Sequence, residues 1–130
     1  MRIAIVGQGY VGLPLAIAAA KAGYEVVGID ANPDLVSKIL EGKSTIGDLS
    51  DMDIATAISS GHYNPSQSFE LIAHAEIVII CVPTPLDTDY KPDLSSLTSA
   101  LISVSRYLAP KALVINESTV APGTTRTIIA

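Results

Sequence analysis

Ile3-Ala4-Ile5-Val6-Gly7-Gln8-Gly9-Tyr10-Val11-Gly12 places three glycines directly behind a run of small or β-prone apolar residues. The apolar run predicts a buried strand. The glycines allow the backbone to turn sharply and to approach a ligand closely. The residues after them begin a helix, whose N-terminus offers free N–H groups and the positive end of the helix dipole. Strand, turn and helix together predict a cradle for a pyrophosphate.

The three glycines have separate geometric tasks. Gly7 permits the tight turn, Gly9 lets the backbone approach the pyrophosphate, and Gly12 lets the helix contact the strand. Asp30 stands 18 positions after Gly12, at the end of a second predicted strand. Its carboxylate can accept hydrogen bonds from both ribose hydroxyls of an adenosine and repels a 2′-phosphate, so NAD is favoured over NADP. The alternatives are that the glycines serve turn geometry alone and that Asp30 is a turn residue.

The composition of the 130 residues is that of one domain with a sizeable core. The chain is 48% hydrophobic and lacks Trp, so Ile, Val, Leu and Ala build the core, as in a buried parallel sheet. A net charge of −5 without a basic run argues against nucleic acid as a partner. No apolar stretch approaches the ~20 residues of a membrane span, so no membrane partner is expected. The single cysteine, Cys81, forms no disulfide framework and suits a cytoplasmic protein.

Strand and helix signals alternate along the chain, which predicts an α/β fold. We expect a Rossmann-type, doubly wound, mostly parallel sheet in a three-layer α/β/α arrangement. Strands are predicted at 2–6, 25–29, 76–81 and 112–115, and helices at 11–22, 33–40, 51–60, 69–74 and 94–108. Residues 63–68 fit a further strand by topology, although Pro65 argues against it locally. A helix begins at Thr124 and runs to the last residue, so we expect the chain to be one domain of a longer protein.

Two loops follow later strands, at the edge of the sheet where doubly wound folds bind ligands. The first, residues 81–85, places Val82 and Thr84 beside the cofactor, and the alternative is a Pro-rich turn without a ligand. The second, residues 116–125, carries hydroxyls that can hold a water or a substrate oxygen, and the alternative is turn and helix-cap chemistry. Cys81 is predicted to be a small buried hydrophobic residue rather than a nucleophile.

The two histidines do not indicate a metal site. His62 and His74 lie near predicted helix ends, without ligand partners at metal-binding spacing. Both are predicted to be surface or capping residues. The chain also shows no Ser–His–Asp arrangement, so its chemistry depends on the nucleotide motif and the two loops.

Three stretches of the chain carry a more specific pattern. They are Gly7-Gln8-Gly9-Tyr10-Val11-Gly12-Leu13-Pro14-Leu15-Ala16, Cys81-Val82-Pro83-Thr84-Pro85-Leu86 and Glu117-Ser118-Thr119-Val120-Ala121-Pro122-Gly123-Thr124-Thr125. Together they resemble the UDP-glucose/GDP-mannose dehydrogenase family, and the last two are its more specific motifs. The resemblance covers residues 1–130 as the family's N-terminal NAD-binding domain; the central helix and the UDP-sugar-binding domain would lie beyond. Gly42-Lys43-Ser44 and Lys91-Pro92-Asp93-Leu94-Ser95 look most like the branch that acts on UDP-N-acetylhexosamines.

The resemblance implies an enzyme when the protein is full length. Such an enzyme oxidises the C6 alcohol of a UDP-N-acetylhexosamine, or of UDP-glucose, to a carboxylate with two NAD⁺. Hydride passes to the nicotinamide, and a cysteine outside this chain forms the thiohemiacetal and thioester. Thr119 is implied to lie near the reacting C6 and to help hold a catalytic water. Besides the three glycines, the implied cofactor contacts are Tyr10, Val11, Asp30, Val82, Thr84 and Thr119.

The resemblance also implies a cytoplasmic homo-oligomer that serves nucleotide-sugar metabolism and polysaccharide biosynthesis. The fragment alone is expected to be inactive, because the nucleophile and most of the sugar site lie outside it. Leu35 stands near the place where many relatives carry an arginine beside the adenosine, which puts that one contact in doubt. Two alternatives remain open. One is another two-domain dehydrogenase of the 3-hydroxyacyl-CoA or β-hydroxyacid type, and the other is a non-catalytic NAD-sensing module.

Overall fold

The computed structural model describes the backbone of residues 1–129 and the side chains of residues 1–128. The strands are β1 (Arg2–Val6), β2 (Glu25–Ile29), β3 (Tyr63–Ser66), β4 (Ile77–Ile80) and β5 (Leu113–Asn116). The helices are α1 (Gly12–Lys21), α2 (Pro33–Leu40), α3 (Asp51–Ser59) and α4 (Ser95–Tyr107). A 3₁₀ helix at Phe69–His74 and a π-helical segment at Thr125–Ile129 complete the elements of this described part.

The five strands form one parallel sheet in the order β3-β2-β1-β4-β5. The chain winds outward from the central β1 to β2 and β3, and then crosses back to β4 and β5. The direction of winding therefore reverses between β1 and β4. Because the strands are parallel, their carboxyl ends share one edge of the sheet, and ligands bind at such a reversal point. This is the doubly wound α/β arrangement that the sequence predicts.

The core lies on both faces of the sheet, and β1 divides it. Ile3 and Ile5 pack with α1 and α3 on one face, and Ala4 and Val6 pack with α4 and the 3₁₀ helix on the other. A strand covered on both faces is apolar at every position instead of at alternate positions. This explains the continuous apolar runs in β1 and β4, and it confirms the three-layer prediction.

Local capping sets the helix boundaries. The Asn32 side chain accepts hydrogen bonds from the backbone of Asp34 and Leu35 at the start of α2. Ser50 and Asp53 form a reciprocal capping box at the start of α3. The predicted bounds of β1, β2 and α2 are those observed, and those of α1, α3, α4, β4 and β5 differ by one residue at one or both ends.

Residues 63–68 and the end of the chain depart from the local expectations. The doubtful strand does form, as β3, with Pro65 opposite Gly28 of β2. A proline is tolerated there because β3 is an edge strand. The ladder with β2 is kept by residues on either side of Pro65: the carbonyl of His62 accepts from the N–H of Val26, and the carbonyl of Ser66 accepts from the N–H of Asp30. The last helix is wound as a π-helix, and Ala130, which the prediction included, lies outside the described residues.

Candidate cofactor site

The Gly-rich turn between β1 and α1 has room for glycine alone at two of its positions. Gly7 has φ +92°, and a Cβ there would lie 2.6 Å from the carbonyl oxygen of Cys81. A Cβ on Gly12 would lie 1.7 Å from the carbonyl oxygen of Gly7. At Gly9, by contrast, a Cβ would meet nothing within 4 Å. The turn is therefore packed on its protein side and open on the face of Gly9, where an approaching phosphate needs space.

The backbone amides just before α1 lie next to Gly9 and are unpaired within the described part of the chain. Tyr10 and Val11 are 83% and 55% exposed. Within residues 1–129, no acceptor takes the backbone N–H of either residue. No acidic side chain lies in the first turn of the helix to compete for them. Free amides at the positive end of a helix dipole fit an anionic group such as a pyrophosphate.

Asp30 is held in a defined orientation at the end of β2. Its Oδ2 accepts a hydrogen bond from the backbone N–H of Gln8 at 2.8 Å, and its Oδ1 accepts one from Asn32 at 2.9 Å. The carboxylate is partly buried and lines a cavity of about 340 Å³. The other lining residues come from the end of β1 and the Gly-rich turn, from Ala31, from Phe69 of the 3₁₀ helix, from Val82 and from the serine-rich face of α4. The cavity is therefore a candidate site for the adenosine of a dinucleotide, with Asp30 in its wall.

A second cavity, also of about 340 Å³, lies beyond the turn. It is lined by Gly9–Val11, by the loop after β4 and by the loop after β5. Thr84 Oγ1 donates to the carbonyl of Thr119 at 2.6 Å, and Ser118 Oγ donates to the carbonyl of Val82 at 2.8 Å. These two bonds join the loops. Val82 lines both cavities, so the amide-rich turn stands between two chambers, as a dinucleotide with a central pyrophosphate requires.

Cys81 lies in this region as a buried thiol. Its side chain packs in the core, and a Cβ on Gly12 would come within 3.3 Å of it. Burial, and secondarily the charge of Glu117, raise the pKa of the Cys81 thiol to about 11. A protonated, buried thiol is a poor nucleophile. The prediction that Cys81 is a buried hydrophobic residue is therefore confirmed.

Sequence reasoning missed a buried polar group beneath the turn. The side chain of Gln8 is fully buried and accepts a hydrogen bond from the hydroxyl of Tyr63, which is 2% exposed. The one available signal was Gly28, because a glycine inside a strand often marks close approach by another group. Sequence reasoning also missed Phe69 and the serines of α4, which line the first cavity.

Other kinds of site find no support in the described residues. Residues 1–129 contain no group of three His, Cys, Asp or Glu side chains able to hold a metal ion. His74 is exposed, as expected for a surface residue, and His62 is partly buried. None of the helices described in the chain has the length and apolar character that crossing a bilayer requires.

A doubly wound sheet, a glycine turn with free amides, and an acid at the end of β2 define a dinucleotide-binding Rossmann domain. Residues 1–130 match the model of the UDP-glucose/GDP-mannose dehydrogenase family, NAD binding domain, and the chain belongs to this family. It is 42% identical to the UDP-N-acetyl-D-mannosamine dehydrogenase of Pyrococcus horikoshii over 96% of its length. The solved structure of UDP-D-ManNAc dehydrogenase from the same organism superimposes with a TM-score of 0.92 and 41% identity, over 98% of this chain and 31% of that one.

A further relative supports the resemblance to the N-acetylhexosamine branch. The chain is 34% identical to the UDP-N-acetyl-D-glucosamine 6-dehydrogenase of Pseudomonas aeruginosa over 96% of its length. It spans 30% of the length of the Pyrococcus protein and 29% of the Pseudomonas protein. Family membership favours a nucleotide-sugar dehydrogenase domain over the 3-hydroxyacyl-CoA or β-hydroxyacid alternative.

Replacing Asp30 with alanine is expected to weaken NAD binding by about 1–2 kcal/mol, if its carboxylate accepts hydrogen bonds from the ribose hydroxyls as the sequence predicts. The preference for NAD over NADP should fall as well, since the charge that repels a 2′-phosphate is removed. Calorimetry on the full-length protein with both dinucleotides measures the two effects. Asp48→Ala, at an exposed loop residue, is the matched control. Unchanged NAD affinity and an unchanged NAD/NADP ratio would remove Asp30 from the site.

Proposed function

We propose that the full-length protein containing this chain oxidises the C6 alcohol of a UDP-N-acetylhexosamine to a carboxylate. The reaction consumes two NAD⁺ and one water and yields two NADH and protons. The observation that carries the proposal is the second cavity, in which the joined loops of Thr84 and Thr119 face the Gly-rich turn. The relatives named above support the choice of an N-acetylhexosamine over glucose.

The residues of this chain fit an NAD⁺ molecule across the two cavities. We propose that Gly7, Gly9, Gly12, Tyr10 and Val11 contact the pyrophosphate and that Asp30 holds the adenosine ribose. Val82, Thr84 and Thr119 would line the nicotinamide side. NAD⁺ supplies the hydride acceptor for each of the two oxidation steps. The chain's own contribution is to bind it, to orient it and to exclude water along the walls of the cavities.

The Thr119 hydroxyl is proposed to hold the catalytic water near the C6 of the sugar. The backbone carbonyl of Thr119 already accepts the Thr84 hydroxyl, which fixes the loop. Thr119 itself is exposed to the cavity. The cysteine nucleophile is proposed to come from a segment outside this chain, because Cys81 is buried and protonated.

The experiment that tests the function is an NAD⁺-reduction assay of the full-length protein against a panel of UDP-sugars. UDP-N-acetylmannosamine, UDP-N-acetylglucosamine, UDP-N-acetylgalactosamine and UDP-glucose form the panel, with GDP-mannose as the nucleotide control. We expect turnover with an N-acetylhexosamine, two NADH formed per sugar, and a carboxylate product by mass spectrometry. NAD binding without turnover on any sugar would instead favour the NAD-sensing module.

The wider context also stays a proposal. We propose that the full-length protein works in the cytoplasm as a homo-oligomer with the UDP-sugar as its small-molecule partner. The negative net charge agrees with an absence of nucleic-acid partners. Size-exclusion chromatography with light scattering measures the oligomeric state, and a monomeric mass would contradict that part.

A further inference from the structure

A buried hydrogen-bond network lies directly beneath the Gly-rich turn. Gln8 is the residue between Gly7 and Gly9, yet its side chain is 0% exposed. Its Nε2 donates to the carbonyl of Ile5 at 2.9 Å and to that of Gly7 at 3.2 Å. Its Oε1 accepts from the hydroxyl of Tyr63 at 2.7 Å. Both ends of the carboxamide are therefore paired inside the core.

The strand between the two partners is shaped to admit this contact. Tyr63 belongs to β3 and reaches Gln8 across β2 at Gly28. A Cβ on Gly28 would lie 2.5 Å from Gln8 Oε1 and 2.6 Å from the Tyr63 ring. Burial, and secondarily the charge of Asp30, raise the pKa of the Tyr63 hydroxyl still further above neutral pH. The hydroxyl is protonated and donates to Gln8 Oε1. A glycine in mid-strand has a cost, and here it leaves space for one buried polar contact.

Gln8 also connects this network to the side of the turn that faces the proposed ligand. The backbone N–H of Gln8 donates to Asp30 Oδ2 at 2.8 Å. The side chain of Gln8 therefore anchors the turn from below, while its backbone holds the proposed ribose-binding carboxylate. Tyr10 and Val11, which carry the open amides, follow closely along the chain. A rotation of the Gly7–Gln8 peptide would therefore displace both the N–H that holds Asp30 and the open amides that follow it in the turn.

We infer that Gln8 and Tyr63 are positioning residues for the cofactor, which hold the turn in the one conformation that presents its amides and Asp30 to the dinucleotide. The inference rests on the proposed function, since the dinucleotide is NAD. An apolar pair of similar volume would fill the space but would leave the turn peptide unanchored. Fully satisfied buried polar networks select one arrangement in this way.

Tyr63→Phe tests the inference with the loss of one oxygen atom. Gln8 Oε1 then has no hydrogen-bond donor in the core. Leaving this acceptor buried and unpaired costs free energy, so the carboxamide is expected to move towards solvent, which disturbs the turn. Only the undisturbed fraction of molecules binds NAD, so the apparent Kd and the KM for NAD should rise by about three- to tenfold. The kcat at saturating NAD and the KM for the UDP-sugar should stay at their wild-type values. A purely structural role would not produce this split.

A second variant separates the network from general damage to the core. Gln8→Met has similar length but no polar group, and it should weaken NAD binding at least as much as Tyr63→Phe does. Adding Tyr63→Phe to Gln8→Met should cause no further loss, because the hydroxyl has already lost its partner. The matched controls are Tyr24→Phe and Gln67→Met, both at exposed positions.

Calorimetry with NAD on the full-length protein, at a temperature where circular dichroism shows each variant folded, gives the decisive values. The wild-type titration comes first, and its failure would remove the proposed function and, with it, the cofactor that this inference names. If the wild type binds NAD and folded Tyr63→Phe and Gln8→Met bind it equally well, the inference is wrong. Additive losses in the double variant would likewise show two independent core effects.

Discussion

The Gly12→Ala variant is expected to lose about 10 °C or more in thermal unfolding midpoint, with NAD binding lost as well. The added Cβ would stand 1.7 Å from the carbonyl oxygen of Gly7, which is backbone and cannot rotate away. The start of α1 must then move away from the end of β1. Overpacking of this kind typically costs about 1–3 kcal/mol, and a clash with fixed backbone belongs at or above the upper end of that range.

Gly9→Ala is the matched control for this variant, because the same methyl group is added three residues earlier in the same turn. A Cβ at Gly9 meets no atom within 4 Å, and Gly9 does not have a positive φ. The unfolding midpoint should therefore stay close to that of the wild type. Affinity for NAD should still fall by about tenfold, because the methyl would occupy the face at which we propose that the pyrophosphate binds. Differential scanning fluorimetry and calorimetry measure the two effects.

Two results would contradict this pair of expectations. A Gly12→Ala protein with a wild-type midpoint would mean that α1 can shift without cost. A Gly9→Ala protein that binds NAD at wild-type affinity would place the phosphates away from the open amides of Tyr10 and Val11. The two variants therefore separate the glycine that builds the fold from the glycine that admits the ligand.

The doubly wound α/β class, most element bounds and the position of Asp30 at the end of β2 could be predicted from the sequence, because their signals are local. The contacts of these residues with the cofactor stay predictions. A strand covered on both faces is a run of apolar residues, as in Ile3–Val6 and Ile77–Ile80. Asn32 and the Ser50–Asp53 pair mark the starts of α2 and α3, because their side chains accept hydrogen bonds from backbone N–H groups a few residues away. Asp30 follows from its spacing after the glycines.

The remaining features depend on contacts between distant segments. Nothing local shows that Gln8 turns inward, because its partner Tyr63 lies 55 residues away and the parallel register of β2 and β3 brings them together. Pro65 breaks a local rule for strands, and only the edge position of β3 makes it acceptable. Tertiary context decides such cases, and a window of neighbouring residues does not contain it.

The two loops show the same division at the candidate site. Their placement at one edge of the sheet follows from the parallel strands, and it was predicted. The division of labour among their hydroxyls was not. Ser118 is buried, and its hydroxyl joins the loops through Val82 while its backbone bonds to Asn116. Thr84 is likewise occupied with the carbonyl of Thr119.

The hydroxyl of Thr119, by contrast, takes no part in joining the loops, and we propose that it holds the catalytic water. It has no hydrogen-bond partner among the described side chains and backbone groups of the chain, and the residue is exposed in the second cavity. Fixing the loop uses its carbonyl, so removing the side chain leaves the loop bond intact. Thr119→Ala in the full-length protein is expected to lower kcat by about tenfold to a hundredfold, because the catalytic water loses its anchor. The KM for the UDP-sugar should change little.

Steady-state kinetics of NADH formation, followed by absorbance on the best sugar of the panel, measures this effect. Thr119→Ser keeps the hydroxyl and should retain most of the wild-type kcat. Thr56→Ala, at an exposed position on α3, is the control for a threonine without a site role. Equal turnover in Thr119→Ala and the wild type would make Thr119 a loop residue whose only contribution is its carbonyl. A loss of kcat that Thr119→Ser restores would assign the water to its hydroxyl, since serine and alanine differ there by that one group.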